Sequence, residues 1–238
     1  MEITSVNNEK VKYLVKLGQK KYRDKEGLYI VEGIHLVEEA LKNDLVSEIY
    51  STDNYPNSIK VSNEVMKKIS SLDTPSKVLA VVKKKNNVEI SGNVLILDNI
   101  QDPGNLGTII RSAIAFNINT IIASLNTVDV YNSKVLRATE GMFFKINYII
   151  DDLDKRINEL KNNNYTIYTT NVSNGDKLSN IKVNKPYGII VGNEGNGVRR
   201  EITSKCDKNL YIKLNSDVES LNVGVACSIL LYELDRNE

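Results

Sequence analysis

Asn105 and Arg111 stand six residues apart in DNIQDPGNLGTIIRSAIAFN, residues 98–117, where a strand pattern gives way to a helix pattern. Val94, Leu95, Ile96 and Leu97 form the continuous apolar run of a strand buried on both faces. Asp102-Pro103-Gly104-Asn105 is turn chemistry: proline fixes φ, glycine permits positive φ, and Asn105 can cap a helix starting after it. From Leu106 a helix is expected, with Leu106, Ile109, Ile110, Ala113 and Phe116 at helical spacing toward a core. Its other side carries Gly107, Thr108, Arg111, Ser112 and Ala115. Arg111 is therefore a permanently charged donor among small residues, in a helix that opens at a strand's carboxyl end, where α/β sheets bind ligands. The plainer alternative makes Asn105 a helix cap and Arg111 a solvated charge.

Two later stretches repeat the design. Residues 186–191, PYGIIV, read as another buried strand and run into Gly192-Asn193-Glu194-Gly195-Asn196-Gly197. Residues 210–214, LYIKL, read as a third strand, and Ser220-Leu221-Asn222 then opens the last helix. Glycines at 192, 195 and 197 let backbone N–H and C=O groups approach a ligand closely. A dinucleotide fingerprint does not fit, because Gly195-x-Gly197 would need a third glycine where Arg200 stands, and no Gly-Lys-Ser/Thr phosphate loop is present.

With these three stretches in this order, the sequence resembles the SpoU/TrmH family of RNA ribose 2'-O-methyltransferases within the SPOUT superfamily. Asn105 and Arg111 match the family's first motif, Gly192-Asn193-Glu194-Gly195 the second, and Ser220-x-Asn222 the third. The resemblance implies S-adenosylmethionine as cofactor, held by Gly192, Asn193, Glu194, Gly197, Ile212, Leu214, Leu221 and Asn222, largely through backbone. It implies a catalytic set of Arg111, Asn105, Glu194, Ser220 and Asn222, with Arg111 at the 2'-hydroxyl. A guanidinium is effectively never neutral in a protein. Arg111 is therefore expected to fix an RNA phosphate and stabilise developing oxyanion charge, while the others orient it and the target ribose. Two positions depart from the family pattern: Glu140 precedes Gly141 where a small or apolar residue is more usual, and Arg199 lacks the small polar character common two places after Gly197.

The surrounding elements read as α/β throughout. Residues 28–31 and 46–50 are expected strands, 34–41 a helix, Ser62 the cap of a helix through Ile69, and 78–82 a strand. This order resembles the ribosomal-protein-L30e-like RNA-binding domain that precedes the methyltransferase domain in relatives, giving a substrate-binding domain at 1–85, a linker at 86–92 and a methyltransferase domain at 93–238. In the second domain, strands are expected at 120–123, 143–149 and 165–169, with helices at 133–139 and at 151–162, the latter capped by Asp151. Strand–helix alternation of this kind specifies a mostly parallel sheet with helices on both faces. The superfamily's deep trefoil knot is what the resemblance adds. Glu32 and His35, in the first domain, are expected to be structural or RNA-contacting.

Net charge is only +1, but residues 1–88 carry 15 Lys/Arg against 12 Asp/Glu, a net of +3, and residues 89–238 carry 16 against 18, a net of −2. A basic helix near the N-terminus, with Lys10, Lys12, Lys20, Lys21 and Arg23, is the expected RNA phosphate contact. Cys206 and Cys227 read as reduced, and His35 is the sole histidine, so no metal site is expected. No apolar run approaches a membrane span and no signal peptide is evident, so a cytoplasmic protein is expected. The last helix, 223–232, is apolar nearly all round and must bury itself in the core or against a second copy; the resemblance implies a homodimer. By its two-domain layout the resemblance points to ribosomal RNA as substrate. The alternatives are a transfer-RNA 2'-O-methyltransferase and a catalytically silent binder of structured RNA.

Overall fold

The computed structural model describes residues 2–86, 88–171, 175–193 and 195–236. In chain order these form β1 (Glu2–Ile3), α1 (Glu9–Leu17), α2 (Lys20–Glu26), β2 (Leu28–Glu32), α3 (Ile34–Lys42), β3 (Val46–Ser51), β4 (Ile59–Val61), α4 (Asn63–Ile69) and β5 (Val78–Lys83). There follow β6 (Val94–Asp98), α5 (Pro103–Ala115), β7 (Thr120–Ala123), α6 (Ser133–Ala138), β8 (Asn147–Ile150), α7 (Leu153–Asn162), β9 (Thr166–Thr170) and β10 (Asp176–Lys177). β11 (Tyr187–Gly192), α8 (Arg200–Thr203), β12 (Lys208–Tyr211) and α9 (Val223–Arg236) complete the order. They divide into two compact units, residues 1–86 with 129–144, and residues 87–128 with 145–238.

The first unit is built on a five-stranded sheet in the order β1-β4-β3-β5-β2. β5 runs antiparallel to both β2 and β3, while β1, β4 and β3 are parallel. Val11, Leu14 and Leu17 of α1 and Val65, Met66 and Ile69 of α4 close one core over Tyr50, Leu79 and Val81. Ser62 caps α4 as expected, its hydroxyl accepting from Val65 N at 3.3 Å. The basic N-terminal segment is two helices and not one, since α1 ends at Leu17, with Gly18 as its C-cap, before α2 begins. β1 and β4, of two and three residues, carry too short a pattern to be read from sequence.

Residues 129–144 group with this first unit, whereas the sequence pattern predicts a second domain running unbroken from Asn93. Aromatic burial accounts for the excursion. Tyr131 packs its ring 4.8 Å from that of Tyr29 and 5.5 Å from that of Phe143. Gly141, at φ +78°, lies so close to Glu39 that an added Cβ would stand 2.7 Å from its Cγ. Only Met142–Lys145, a 3-10 turn, and then β8 occupy the region expected as one strand from Phe143.

The second unit holds a seven-stranded sheet in the order β10-β12-β9-β11-β6-β7-β8, and every pairing is parallel. All residues of β6, β7 and β11 are buried, as continuous apolar strands between helical layers must be. α5 starts earlier than the apolar period alone suggests: Pro103 occupies the first turn and Asp102, not Asn105, is the cap, its Oδ1 accepting from Asn105 N at 2.7 Å. Likewise Asp152 rather than Asp151 caps α7, and Asp151 instead accepts from Arg156 Nε at 2.8 Å. β12 ends at Tyr211, so Ile212 and Leu214 lie beyond the ladder in which the apolar run would place them. α8 and β10, of four and two residues, have no counterpart in the sequence pattern. No helix among the described residues is long and apolar enough to cross a membrane.

Candidate active site

A cleft of about 430 Å³ opens in the second unit where β9, β11 and β12 end. One side is backbone. Gly192, the last residue of β11, sits so tightly under the following loop that an ideal Cβ would lie 2.1 Å from Gly197 C and 2.2 Å from Val198 N. The loop is closed by Asn193 N donating to Gly197 O at 3.0 Å and Gly197 N donating to Asn193 O at 2.8 Å. Asn193 holds it from within, its Oδ1 accepting from Gly195 N at 2.9 Å and its Nδ2 donating to Asn99 O at 3.0 Å. The other lining is mainly apolar, from Ile212, Leu214, Leu221, Val223, Ala226 and Leu230. Thr170 and Asn171 line it at the end of β9, where Thr170 Oγ1 donates to Ile190 O at 3.1 Å.

Asn222 joins this cleft to α5. Its Oδ1 accepts from Gly224 N at 2.9 Å and Val225 N at 3.2 Å, satisfying two donors at the start of α9 that no helical carbonyl can reach. Its Nδ2 donates to Asn105 Oδ1 at 2.8 Å. α5 and α9 then run together closely enough for Ser112 Oγ and Ser228 Oγ to share a 2.7 Å hydrogen bond, and a Cβ on Gly224 would meet Thr108 at 3.1 Å. Further along, Asn117 Nδ2 donates to Asp235 at 2.9 Å. Arg111, on this helix, is exposed and has no hydrogen bond or ion pair with any described residue.

Of the residues singled out by sequence, Gly192, Asn193, Gly197, Ser220, Ile212, Leu214 and Leu221 line the cleft. Asn222 stands between two lining residues and Asn105 is bonded to it, while Arg111 lies on α5 outside the lining. Glu194 falls outside the described residues. Sequence reasoning missed Thr170, Asn171 and Thr203, which carry no motif, and Asp98, which is 0% exposed and receives both Arg199 N at 2.9 Å and Arg199 Nε at 2.8 Å.

In the first unit Lys10 pairs with Glu48 at 2.7 Å, Lys12 with Glu9 at 2.7 Å and Lys20 with Asp24 at 3.0 Å, and Lys21 stands over the Tyr22 ring. Arg23 is a correction to the expected RNA contacts. It is 8% exposed and donates to Leu17 O at 3.1 Å, Gly18 O at 2.7 Å and Asp129 Oδ2 at 2.5 Å, so its guanidinium is a structural tie. Glu32 is structural too, accepting from Ser70 Oγ at 2.5 Å and from Ser71 N and Oγ at 2.8 and 2.6 Å. His35 Nε2 lies 3.2 Å from Glu140 O. Among the described residues no group of His, Cys, Asp and Glu gathers as a metal site.

Burial pushes the Cys227 thiol up to about 12 and the Cys206 thiol up to about 11, from an ordinary 9.0. A folded pKa above the unfolded one gives stability that is present below about pH 9 and lost as pH rises toward the folded values. The folded protein is therefore expected to resist iodoacetamide at pH 8, to take two labels once unfolded in urea, and to lose stability between about pH 9 and pH 12. Mass spectrometry of the labelled chain and a pH series of urea melts check both parts.

A parallel α/β unit whose strand ends present a glycine-tight backbone loop opposite apolar side chains has its ligand cleft where open α/β sheets place theirs, at the carboxyl ends of the strands. The chain belongs to the SpoU rRNA methylase family, whose model matches residues 92–232. Residues 8–80 match the MRM3-like substrate binding domain. The chain is 37% identical over 244 residues to the Bacillus subtilis 23S rRNA (guanosine(2553)-2'-O)-methyltransferase RlmP, covering 98% of each. A solved S-adenosylmethionine-bound rRNA methyltransferase from Sinorhizobium meliloti superposes with a TM-score of 0.88 at 27% identity, over 99% of this chain and 97% of that one. A solved RNA 2'-O-ribose methyltransferase superposes at 0.84 with 25% identity, over 100% and 99%.

Proposed function

We propose that this protein transfers a methyl group from S-adenosylmethionine to a ribose 2'-hydroxyl of 23S ribosomal RNA. The observation that carries the reading is the 2.8 Å bond from Asn222 to Asn105, which ties the segment lining the cofactor cleft to the helix bearing Arg111. The substrate follows the RlmP relative, matched along nearly its whole length.

The cleft fits an adenosyl sulfonium. Ile212, Leu214, Leu221 and Val223 offer apolar contact to a base, the backbones of Gly192, Asn193 and residues 195–197 offer polar groups, and the sole charged lining residue among those described is the carboxylate of Glu219. The bound cofactor supplies a methyl group already activated by its sulfonium. The chain's task is alignment and charge: the cofactor would give its methyl group to the 2'-oxygen and leave as the neutral thioether, and the hydroxyl proton would pass to solvent water. Holding the hydroxyl in line can account for about 7–11 kcal/mol of the barrier. Arg111 donates to an RNA phosphate and to the oxygen as negative charge builds, while Asn105, Ser220, Asn222 and Glu194 orient it and the ribose.

The first unit is the RNA substrate-binding domain, a role its match to the MRM3-like substrate binding domain supports. Lys10, Lys12, Lys20 and Lys21 are its phosphate contacts. The exposed pairs of Lys12 and Lys20 are screened by solvent and exchange readily for phosphate. The second unit carries the superfamily's trefoil knot, and the protein is cytoplasmic, as a ribosomal substrate requires. It works as a homodimer through α9 and its neighbour α5. Val225 and Tyr232 on α9 are 48% and 50% exposed, apolar area that a second copy would cover. Sedimentation is expected to give twice the 26.7 kDa chain mass, and a fully active monomer would contradict this.

Labelled methyl transfer to RNA from cells lacking the gene tests the function. Alkali does not cut beside a 2'-O-methylated ribose, so label in alkali-resistant dinucleotides from 23S RNA is expected. Label in mononucleotides would mean base methylation, label in transfer RNA alone a different substrate, and intact RNA binding without label a silent binder.

A further inference from the structure

Asp98 and Arg199 are not among the residues assigned to the methyl transfer, yet they meet at the loop that lines the cleft. Asp98 is the last residue of β6 and lies directly across the parallel ladder from Gly192. It is wholly buried, and its carboxylate accepts two hydrogen bonds from one residue, from Arg199 N at 2.9 Å and from Arg199 Nε at 2.8 Å. Arg199 sits where the glycine loop ends and α8 begins, as the N-cap of that helix, and no side chain caps it there. On either side of it Val198 and Thr203 line the cleft. One residue past Asp98, Asn99 O receives Asn193 Nδ2 at 3.0 Å from the other end of the same loop. Both ends of the segment from Asn193 to Arg199 are thus moored to the end of β6.

We propose that Asp98 and Arg199 are positioning residues that hold residues 195–199 in their cofactor-binding shape before the cofactor arrives. The inference rests on the reading of the cleft as an S-adenosylmethionine site. A buried carboxylate that fixes a backbone N–H and a guanidinium together sets both position and direction of the chain at 199. Without it, binding must also order the loop, and affinity falls by the fraction of molecules already in the right shape. The second mooring, through Asn193, keeps the loop attached, so the change is in order rather than in fold.

Calorimetric titration of the full-length protein with S-adenosylmethionine tests this, alongside hydrogen exchange of the Gly195 and Asn196 amides and urea melts. Arg199→Ala is expected to raise the Kd about tenfold, as loss of one charge-assisted bond does, and to speed exchange at both amides. Arg199→Lys, which keeps the charge and the backbone N–H, is expected to recover part of the affinity. Glu201→Ala removes only the 3.4 Å outer contact to Arg199 and is expected to leave the Kd within twofold. If Asp98→Asn fails to fold, the Arg199 pair still decides the matter. A folded Arg199→Ala protein with wild-type Kd and a lowered urea midpoint would make the pair merely structural and overturn the proposal. Wild-type protein that binds no S-adenosylmethionine would instead overturn the reading of the cleft.

Discussion

Replacing Arg111 by alanine is expected to lower kcat for methyl transfer by about 10²–10³, the cost of removing one preorganised donor from a developing oxyanion, while the Kd for S-adenosylmethionine stays within twofold. The split follows from position. Arg111 lies on α5 outside the residues that line the cofactor cleft, and it is exposed without a partner among the described residues, so its loss empties no core and unpairs no buried group. Exposed substitutions of this kind usually move stability by less than about 0.5 kcal/mol, so the thermal midpoint should hold. Arg111→Lys is expected to fail nearly as badly, because an ammonium lacks the planar fork that can hold a phosphate and an oxygen together. Single-turnover methyl transfer with all three proteins checks this, and near-normal turnover by the lysine protein would remove Arg111 from the assigned role.

Gly192→Ala is expected to abolish cofactor binding outright. The new methyl would stand 2.1 to 2.3 Å from three backbone atoms of Gly197 and Val198, and backbone has no rotamer with which to yield. Either the loop lifts away from β11, taking cleft-lining atoms with it, or the strand end distorts. The matched control is Gly195→Ala, where the nearest neighbour of an added Cβ is Asn193 Oδ1 at 3.5 Å, an ordinary contact. Calorimetry should detect no binding for the first protein and near-normal binding for the second, with circular dichroism establishing whether the first still folds. Wild-type affinity in Gly192→Ala would mean that the loop is not packed as described.

The parts of this molecule that can be read from sequence are those in which one local pattern decides the outcome. The runs at 94–97, 121–123 and 189–191 are apolar on consecutive residues, as short strands covered on both faces are. The three motifs are legible for the same reason, since glycine and asparagine at strand ends and helix starts are local events. The start of α5 is misplaced by the sequence reading: Asp102-Pro103 opens the helix, but the turn chemistry of 102–105 and an apolar period that begins only at Leu106 put the start too late. What cannot be read is decided at a distance. β1 exists because β4 pairs with it, β4 because it lies between β1 and β3, and the Asp98–Arg199 couple spans 101 residues of chain. Phe143 looks like a strand residue by type, yet its ring is taken up by Tyr131 and Tyr29, and the backbone turns instead.

The excursion of residues 129–144 bears on how the first unit can be exchanged between relatives. Its first unit is written in two separated pieces of gene, so a crossover after residue 86 would deliver Tyr29 and Arg23 into a host whose own 131 and 129 were selected beside other residues. Where the host lacks an aromatic residue at 131 or a carboxylate at 129, the recombinant would carry a mismatched aromatic stack and a buried guanidinium without its carboxylate. Exchange of the first unit between relatives is therefore expected to succeed only when both pieces travel together, and lineages that diverge in one piece should show linked change in the other.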